Sequence, residues 1–463
     1  MSERETNSKA LTPYAATYPV QVQAAGRQLA IAAQLNQDLD RRRFVGILKR
    51  IASEDAVTFL SNRQALDGDL IERFEDRWDW RGLSRSEALL WTLELIARFP
   101  DRWDWGWLSQ SRAVPWSLEL IERYEDRWEW LGFSENEALP WSLELIERFE
   151  DRWNWETWSG YSGNGEGLSE NKALPWSPTL IERFADRWDW AGLSSNKALP
   201  WSPDLIARFE DRWDCGSFSW NTELPWSLEL IEHYEDRWSW PGLSWNTALP
   251  WSLELIKRYE DRWDWTTNFG HHITLSNNEA LPWSIELIEH YEGRWGWGSL
   301  SANKALPWSI ELIEHYEGRW DWKSLSGNEA LPWSIELFEH YEGRWNWQQL
   351  SWITALPWSL ELIKRYEGRW DWDRLSGNTA LPWSLELIKR YESRWDWKSL
   401  SGNKALPWSI ELIERFEDRW VWWKFSENKA LSLPVLRPAD IVEIMAHHFT
   451  DRDSQAALPS SVR

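Results

Sequence analysis

The chain is poor in sulfur, with one cysteine, Cys215, and two methionines in 463 residues. A single thiol excludes an intramolecular disulfide framework, so stability must come from burial. Long apolar runs are also missing. Hydrophobic residues come singly or in pairs between charges, and no window approaches the roughly 18 uninterrupted apolar residues of a membrane span. Positive charge is short, with 51 Lys and Arg against 74 Asp and Glu, a net charge of -23. Phosphate backbones need net positive clefts, so direct nucleic-acid binding is not expected. No Gly-Lys-Ser/Thr phosphate loop, nucleophile elbow, zinc ligand set or dinucleotide fingerprint occurs, so no cofactor or metal is expected. The opening Met-Ser-Glu-Arg-Glu has no basic segment followed by an apolar run, which makes the cytoplasm the expected compartment.

Tryptophan, by contrast, is abundant: 46 residues. The pair Arg-Trp recurs fourteen times at one register, from Arg77-Trp78 to Arg419-Trp420. Eleven of the intervals between these Trp are 25 residues, and two are stretched to 35 and 32 by insertions that leave the flanking copies intact. A fixed period of this length is the signature of a solenoid, in which each unit buries its apolar face against its neighbours. With 43% apolar residues, each copy has enough area to bury despite the charge.

Comparing copies shows the parts. The position of Ser117 is otherwise Ser, Thr92 or Asp67, all short side-chain acceptors suited to a helix N-cap. Pro178 and Pro203 occupy the next position, where a helix tolerates proline. Leu120, Ile121, Tyr124 and Trp128 follow at three- and four-residue steps, predicting a leading helix of about three turns with one apolar stripe. After Trp128 an Asp, Asn, Ser or Gly predominates, predicting a second cap and a short trailing helix. The stretch Asn328 to Trp333 turns the chain back, because the residue before Pro is pushed out of helical geometry.

The expected fold is all-α: an α-solenoid of about fourteen 25-residue helical hairpins with degenerate terminal caps. Its parts are a flexible segment 1–30, an N-terminal helical cap 31–66 starting a half-copy near Asp55, the Trp-rich array 67–432, a capping helix 433–450 and a flexible tail 451–463. A stack advancing one helix-packing distance per copy would extend roughly 100 Å or more.

The motif Asp-Trp-x-x-Leu-Ser-x-Asn, as in Asp321 to Asn328, resembles short helical-hairpin repeats of uncharacterised bacterial and giant-virus proteins, where Trp and Leu hold the same places. The resemblance covers about residues 54 to 432. It implies the helical-hairpin fold and brings no activity with it.

Several features compete as sites. The Arg ladder, Arg77 to Arg419, could grip carboxylate or phosphate, but stacking on Trp rings and pairing with acids of the same or adjacent copy accounts for it without a ligand. Glu119, Glu122 and Glu125 recur as an acidic ridge, either a solvated face or a dock for a basic protein. His290, His315 and His340 stand where other copies carry Arg, which reads as an exposed basic position. His271-His272 and His447-His448 lack a third ligand at recognisable spacing. Carboxylate pairs recur in every copy, whereas a catalytic dyad would occur once, so an enzyme is not expected.

The breaks in the repeat are more informative. One insertion, Glu156 to Gly167, carries Trp158 and Tyr161; the other, Thr266 to Thr274, carries Phe269, His271 and His272. Both leave the unit after its second Trp and project from one edge, either as tolerated loops or as a binding rim. Trp220, Trp245 and Trp352 share one register, where other copies have Arg85, Glu135, Gly327 or Ala302. A position that accepts charge faces water, so Trp220 and Trp245, in consecutive copies, predict an aromatic platform about 10 Å apart. Packing on the adjacent copy is the competing explanation. The candidate ligand surface is therefore Trp220, Trp245, Trp352, Trp158, Tyr161, Phe269, His271 and His272. The expected function is a non-catalytic scaffold for a protein or peptide partner, a basic one matching the acidic ridge. The alternatives are an acidic nucleic-acid mimic and a glycan-binding module using exposed Trp. Oligomeric state is not legible.

Overall fold

The computed structural model describes residues 18–156, 167–266 and 274–456. Among them every regular element is a helix, arranged as short hairpins repeated along the chain. The fold is an α-solenoid of helical repeats.

Leading helices span six residues, as in Leu118–Arg123, and are shorter than the three turns expected. Each is started by its cap: Asp67, Thr92 and Ser117 accept from the backbone N–H three residues on. Termination has a local cause. The residue after the helix, Tyr124, sits at φ -125° and ψ 28°, outside helical geometry. The indole Nε1–H of Trp128 then donates to the Ile121 carbonyl at 3.1 Å, taking a helix-end acceptor that would otherwise bond the next turn. The apolar stripe is therefore completed by a turn rather than a helix, and Trp128 stays buried at 4% exposure.

Trailing helices start at the second cap. Asp321, for example, accepts from the Ser324 N–H at 2.7 Å. In copies four and eight the insertion enters this helix and leaves only a 3₁₀ turn, Leu168–Glu170 or Leu275–Asn277. The Leu168 and Leu275 N–H groups donate to the Asn154 and Asp264 carbonyls at 2.7 and 2.6 Å, which closes the loop base and preserves the register beyond it. A Cβ on Gly167 would lie 2.1 Å from the Glu156 carbonyl oxygen, so this close approach requires glycine.

Contacts divide the chain into two compact units: Met1–Val57 with Trp408–Trp420 and Ala430–Arg463, and Thr58–Pro407 with Val421–Lys429. In the first, the N-terminal helix Tyr18–Arg50 packs on the leading helix Ile410–Arg415 and on the C-terminal helix Pro438–Ala456. Phe44, Ile47, Leu48, Ile441, Ile444 and Met445 are its buried centre. Arg43 and Arg50 bond Glu414 and Glu417 at 2.6 and 2.7 Å. The outer helices run further than expected. One begins at Tyr18, inside the segment 1–30 expected to be flexible, and the other continues to Ala456, into the expected tail 451–463. Ala- and Gln-rich sequence such as Ala32-Ala33-Gln34 favours helix without the Trp-based pattern used to place boundaries. The helix Ser53–Arg63 likewise starts before Asp55.

In the second unit the closest helix-to-helix approaches join successive trailing helices, while leading helices communicate through long side chains. This unit corrects the expectation of an extended stack, because its two ends meet. Phe59 lies 6.2 Å from the Trp422 ring and 6.3 Å from Phe425. Asn62 Nδ2 donates to Ser426 Oγ at 3.4 Å, while its carbonyl accepts from Ser86 Oγ, also at 3.4 Å. Lys429 pairs with Glu87 at 2.9 Å. Residues 58–63 thus stand between the last trailing helix and the first, and the trailing layer closes on itself.

Candidate functional site

Everything that holds copies together is repeated. The buried Ser301 hydroxyl donates to the Trp297 carbonyl at 2.6 Å and accepts from the Asp321 N–H of the next copy at 2.9 Å. Asn328, 1% exposed, accepts from Ala330 N–H and donates through Nδ2 to the Ser301 and Asn303 carbonyls of the preceding copy at 3.0 and 3.1 Å. These asparagine and serine ladders were not foreseen. Their signal was the Ser after Leu or Phe in every copy and the Asn two positions on in all but the copies with Ser86, Ser111 and Ile353, which alone does not distinguish a turn residue from a cross-copy bond.

The Arg ladder is structural in the second unit. Arg319 lies 5.4 Å over the Trp297 ring and pairs with Glu292 at 2.7 Å. Arg152 lies 5.7 Å over Trp130 and pairs with Asp126 at 2.8 Å. These partners belong to the preceding copy, so much of the acidic ridge is neutralised between copies. Arg98 bonds Asp69 and Glu72, and Arg148 bonds Glu122 at 2.6 Å. The carboxylates at the second helical position remain exposed. Glu286, Glu311 and Glu336 are held below the usual carboxylate range by their own backbone N–H and the cap serine hydroxyl. His290, His315 and His340 are exposed, each edge-on to the following Tyr. Among the described residues no group of three His, Cys, Asp or Glu could hold a metal, and no helix is long and apolar enough to cross a membrane.

Among the exposed positions that differ between copies, one on the trailing helices carries Trp in three of them. Trp220 and Trp245 end two consecutive trailing helices, Cys215–Trp220 and Trp240–Trp245. Their rings are in contact, with centroids 5.6 Å apart and planes at 47°. This is closer than the 10 Å expected, because the Trp220 side chain leans onto the next copy. The Trp220 ring lies over Gly242, where a Cβ would come within 3.0 Å of its Nε1. Packing on the adjacent copy and exposure thus coexist: Trp220 is half-buried, whereas Trp245 keeps 39% of its surface. Trp352 is 56% exposed and lies over Gly377 of the next copy, 2.7 Å from a Cβ built there, apart from the other two. Trp158, Tyr161, Phe269, His271 and His272 lie outside the described residues.

Two further Trp outside the repeating positions were missed as site candidates. Trp107 carries the Arg85 guanidinium 4.4 Å above its ring and Arg81 at 5.6 Å. Trp423, 45% exposed, has Lys398 and Lys424 Nζ each 5.6 Å from its centroid. The available signal was cations at neighbouring trailing-helix positions, legible only once the copies are aligned side by side. Cys215 replaces the second register Trp in copy six and is half-buried, and burial pushes its thiol up. Comparison with protein-family models, curated proteins and solved structures gave no match to this chain.

Proposed function

We propose that the protein is a non-catalytic scaffold that binds a protein or peptide through the exposed face of its trailing helices. One observation carries this reading: the caps, the Ser and Asn ladders and the Arg–Trp stacks repeat from copy to copy, while the exposed trailing-helix positions vary and place Trp220 against Trp245. A solenoid needs no Trp there to fold, since Gly327, Ala302 and Arg85 serve in other copies. Paired, partly exposed Trp rings offer apolar area at low entropic cost, the usual character of an interface anchor. Titratable groups recur along the array rather than forming one altered site, which supports a binding role over catalysis. The inter-copy pairing of the acidic ridge weakens, without removing, the case for a basic partner.

The test replaces Trp220 and Trp245 with Ser and measures melting alongside partner recovery from the source cell lysate. Unchanged melting with the partner lost is the expected outcome. Retention of the partner by the folded double variant refutes the site. Recovery of a DNA-binding protein released by salt would instead favour nucleic-acid mimicry, and retention on polysaccharide beads would favour glycan binding.

A further inference from the structure

We infer that the trailing-helix face around the closure of the array is a receptor for an extended acidic peptide segment, gripped by Arg81 and Arg85 over Trp107 at one end and by Lys398 and Lys424 beside Trp423 at the other. This deepens the scaffold reading and rests on the trailing face being the recognition face.

The observation behind it is a pair of cation clusters, each set beside a Trp ring outside the repeating positions. Arg98 at the end of a leading helix, and Arg127 and Arg319 in the turns after such helices, each hold a carboxylate of the preceding copy. Among the described residues Arg81, Arg85 and Lys398 hold no ion pair, in a chain whose net charge is -23. Surplus acid is abundant, so leaving these cations unpaired is not a matter of supply. All three are exposed. Lys424 is the exception, pairing with Glu427 at 3.1 Å.

Their aromatic neighbours decide the ligand chemistry. At 4.4 Å over the Trp107 ring, the Arg85 guanidinium rests on the indole and holds no carboxylate. A stacked guanidinium is already oriented, so it loses little freedom on accepting an oxyanion in the bidentate geometry that suits carboxylate and phosphate. The two clusters lie on either side of the segment bearing Phe59 and Asn62, which touches both neighbouring trailing helices. With one helix between them and helices about 10 Å apart, the clusters are about 20 Å apart. An extended chain covers that distance in about six residues. Between the clusters lie exposed Glu427 and the Glu87–Lys429 pair. A nucleic acid strand, charged at every step, would meet these carboxylates along its length. A peptide with acidic ends and an uncharged centre avoids that local clash.

The probe is a fluorescein-labelled peptide with two glutamate clusters separated by an uncharged, Tyr-containing spacer, followed by anisotropy against the full chain. Oligothymidine of equal charge is run in parallel. The wild type should bind the peptide, more weakly as salt rises. Arg81→Glu with Arg85→Glu should weaken it by about tenfold or more, the loss expected for hydrogen bonds between charged groups. Lys172→Glu with Lys197→Glu, equal in charge change but outside the patch, should leave it unchanged. Arg81→Lys with Arg85→Lys keeps the charge and removes the fork, so it should weaken binding by less; this pair serves if the Glu variant unfolds. Absent peptide binding, equal loss in the control pair, or no loss in either Arg variant overturns the receptor. Oligothymidine bound as tightly and with the same dependence on Arg81 and Arg85 overturns the choice of occupant. The Trp220→Ser, Trp245→Ser variant should bind the peptide as wild type does, so failure here is distinguishable from failure of the Trp220–Trp245 site.

Discussion

Replacing Trp320 with Ala tests how copies hold one another. The ring is 4% exposed, lies 5.0 Å from both Trp297 of the preceding copy and Trp308 of its own, and 6.0 Å from Tyr316. Its Nε1–H donates to the Ile313 carbonyl at 3.1 Å, at the end of a leading helix. Truncation removes the ring's burial and leaves a cavity, together about 3 to 5 kcal/mol. Part of this is the helix-end bond, about 1 kcal/mol by itself. Trp320→Phe isolates that part: it keeps most of the apolar contact, loses the donor, and should cost about 1 to 2 kcal/mol. Because coupling in a repeat array is between neighbours, the loss should be local. Hydrogen exchange read by mass spectrometry should accelerate in copies nine to eleven while distant copies keep wild-type protection, and thermal unfolding should become multi-phase. A Trp320→Ala chain that melts within about a degree of wild type would refute the burial argument. Uniformly faster exchange along the whole array would refute nearest-neighbour coupling instead.

Three other outcomes follow from particular contacts. Asn328→Ala removes two bonds to the preceding copy and one to its own turn, and should cost about 1 to 3 kcal/mol by denaturant titration; a loss below about 0.5 would mean that water replaces the ladder. Phe59→Ala should speed hydrogen exchange in Trp422–Glu427, more than 350 positions away in the chain, because Phe59 is buried against Trp422 and Phe425; unchanged protection there would show that the trailing layer is open. The raised Cys215 thiol should alkylate more slowly at neutral pH than a free thiol, its rate still rising above the pH where the free thiol levels off, since only the thiolate reacts; a rate profile matching a free thiol would refute the burial effect.

The Trp220–Trp245 platform shows where reading by register succeeds and where it stops. Alternation between Trp, Arg, Gly and Glu at one position identified a position at least partly open to water, because no closed environment suits all four. The contact distance was not legible, since it depends on how far each side chain leans toward the next copy. Trp107 and Trp423 were passed over for a related reason: their cations come from adjacent copies, Arg85 for Trp107 and Lys398 for Trp423, and lie 22 or more residues away in sequence.

The sequence by itself determined the period, the two helices per copy, the capping residues and the buried Trp register, because these depend on interactions within a few residues or on a pattern repeated many times. The length of the leading helix lay partly beyond it, since a single indole donor taking the Ile121 or Ile313 carbonyl outweighs the helical periodicity of the side chains around it. Closure of the trailing layer was decided only in three dimensions. Each copy adds a small rotation, set by close contact between trailing helices and wider spacing between leading ones, and no single copy encodes the sum. Whether that sum brings Phe59 onto Trp422 depends on all fourteen copies together.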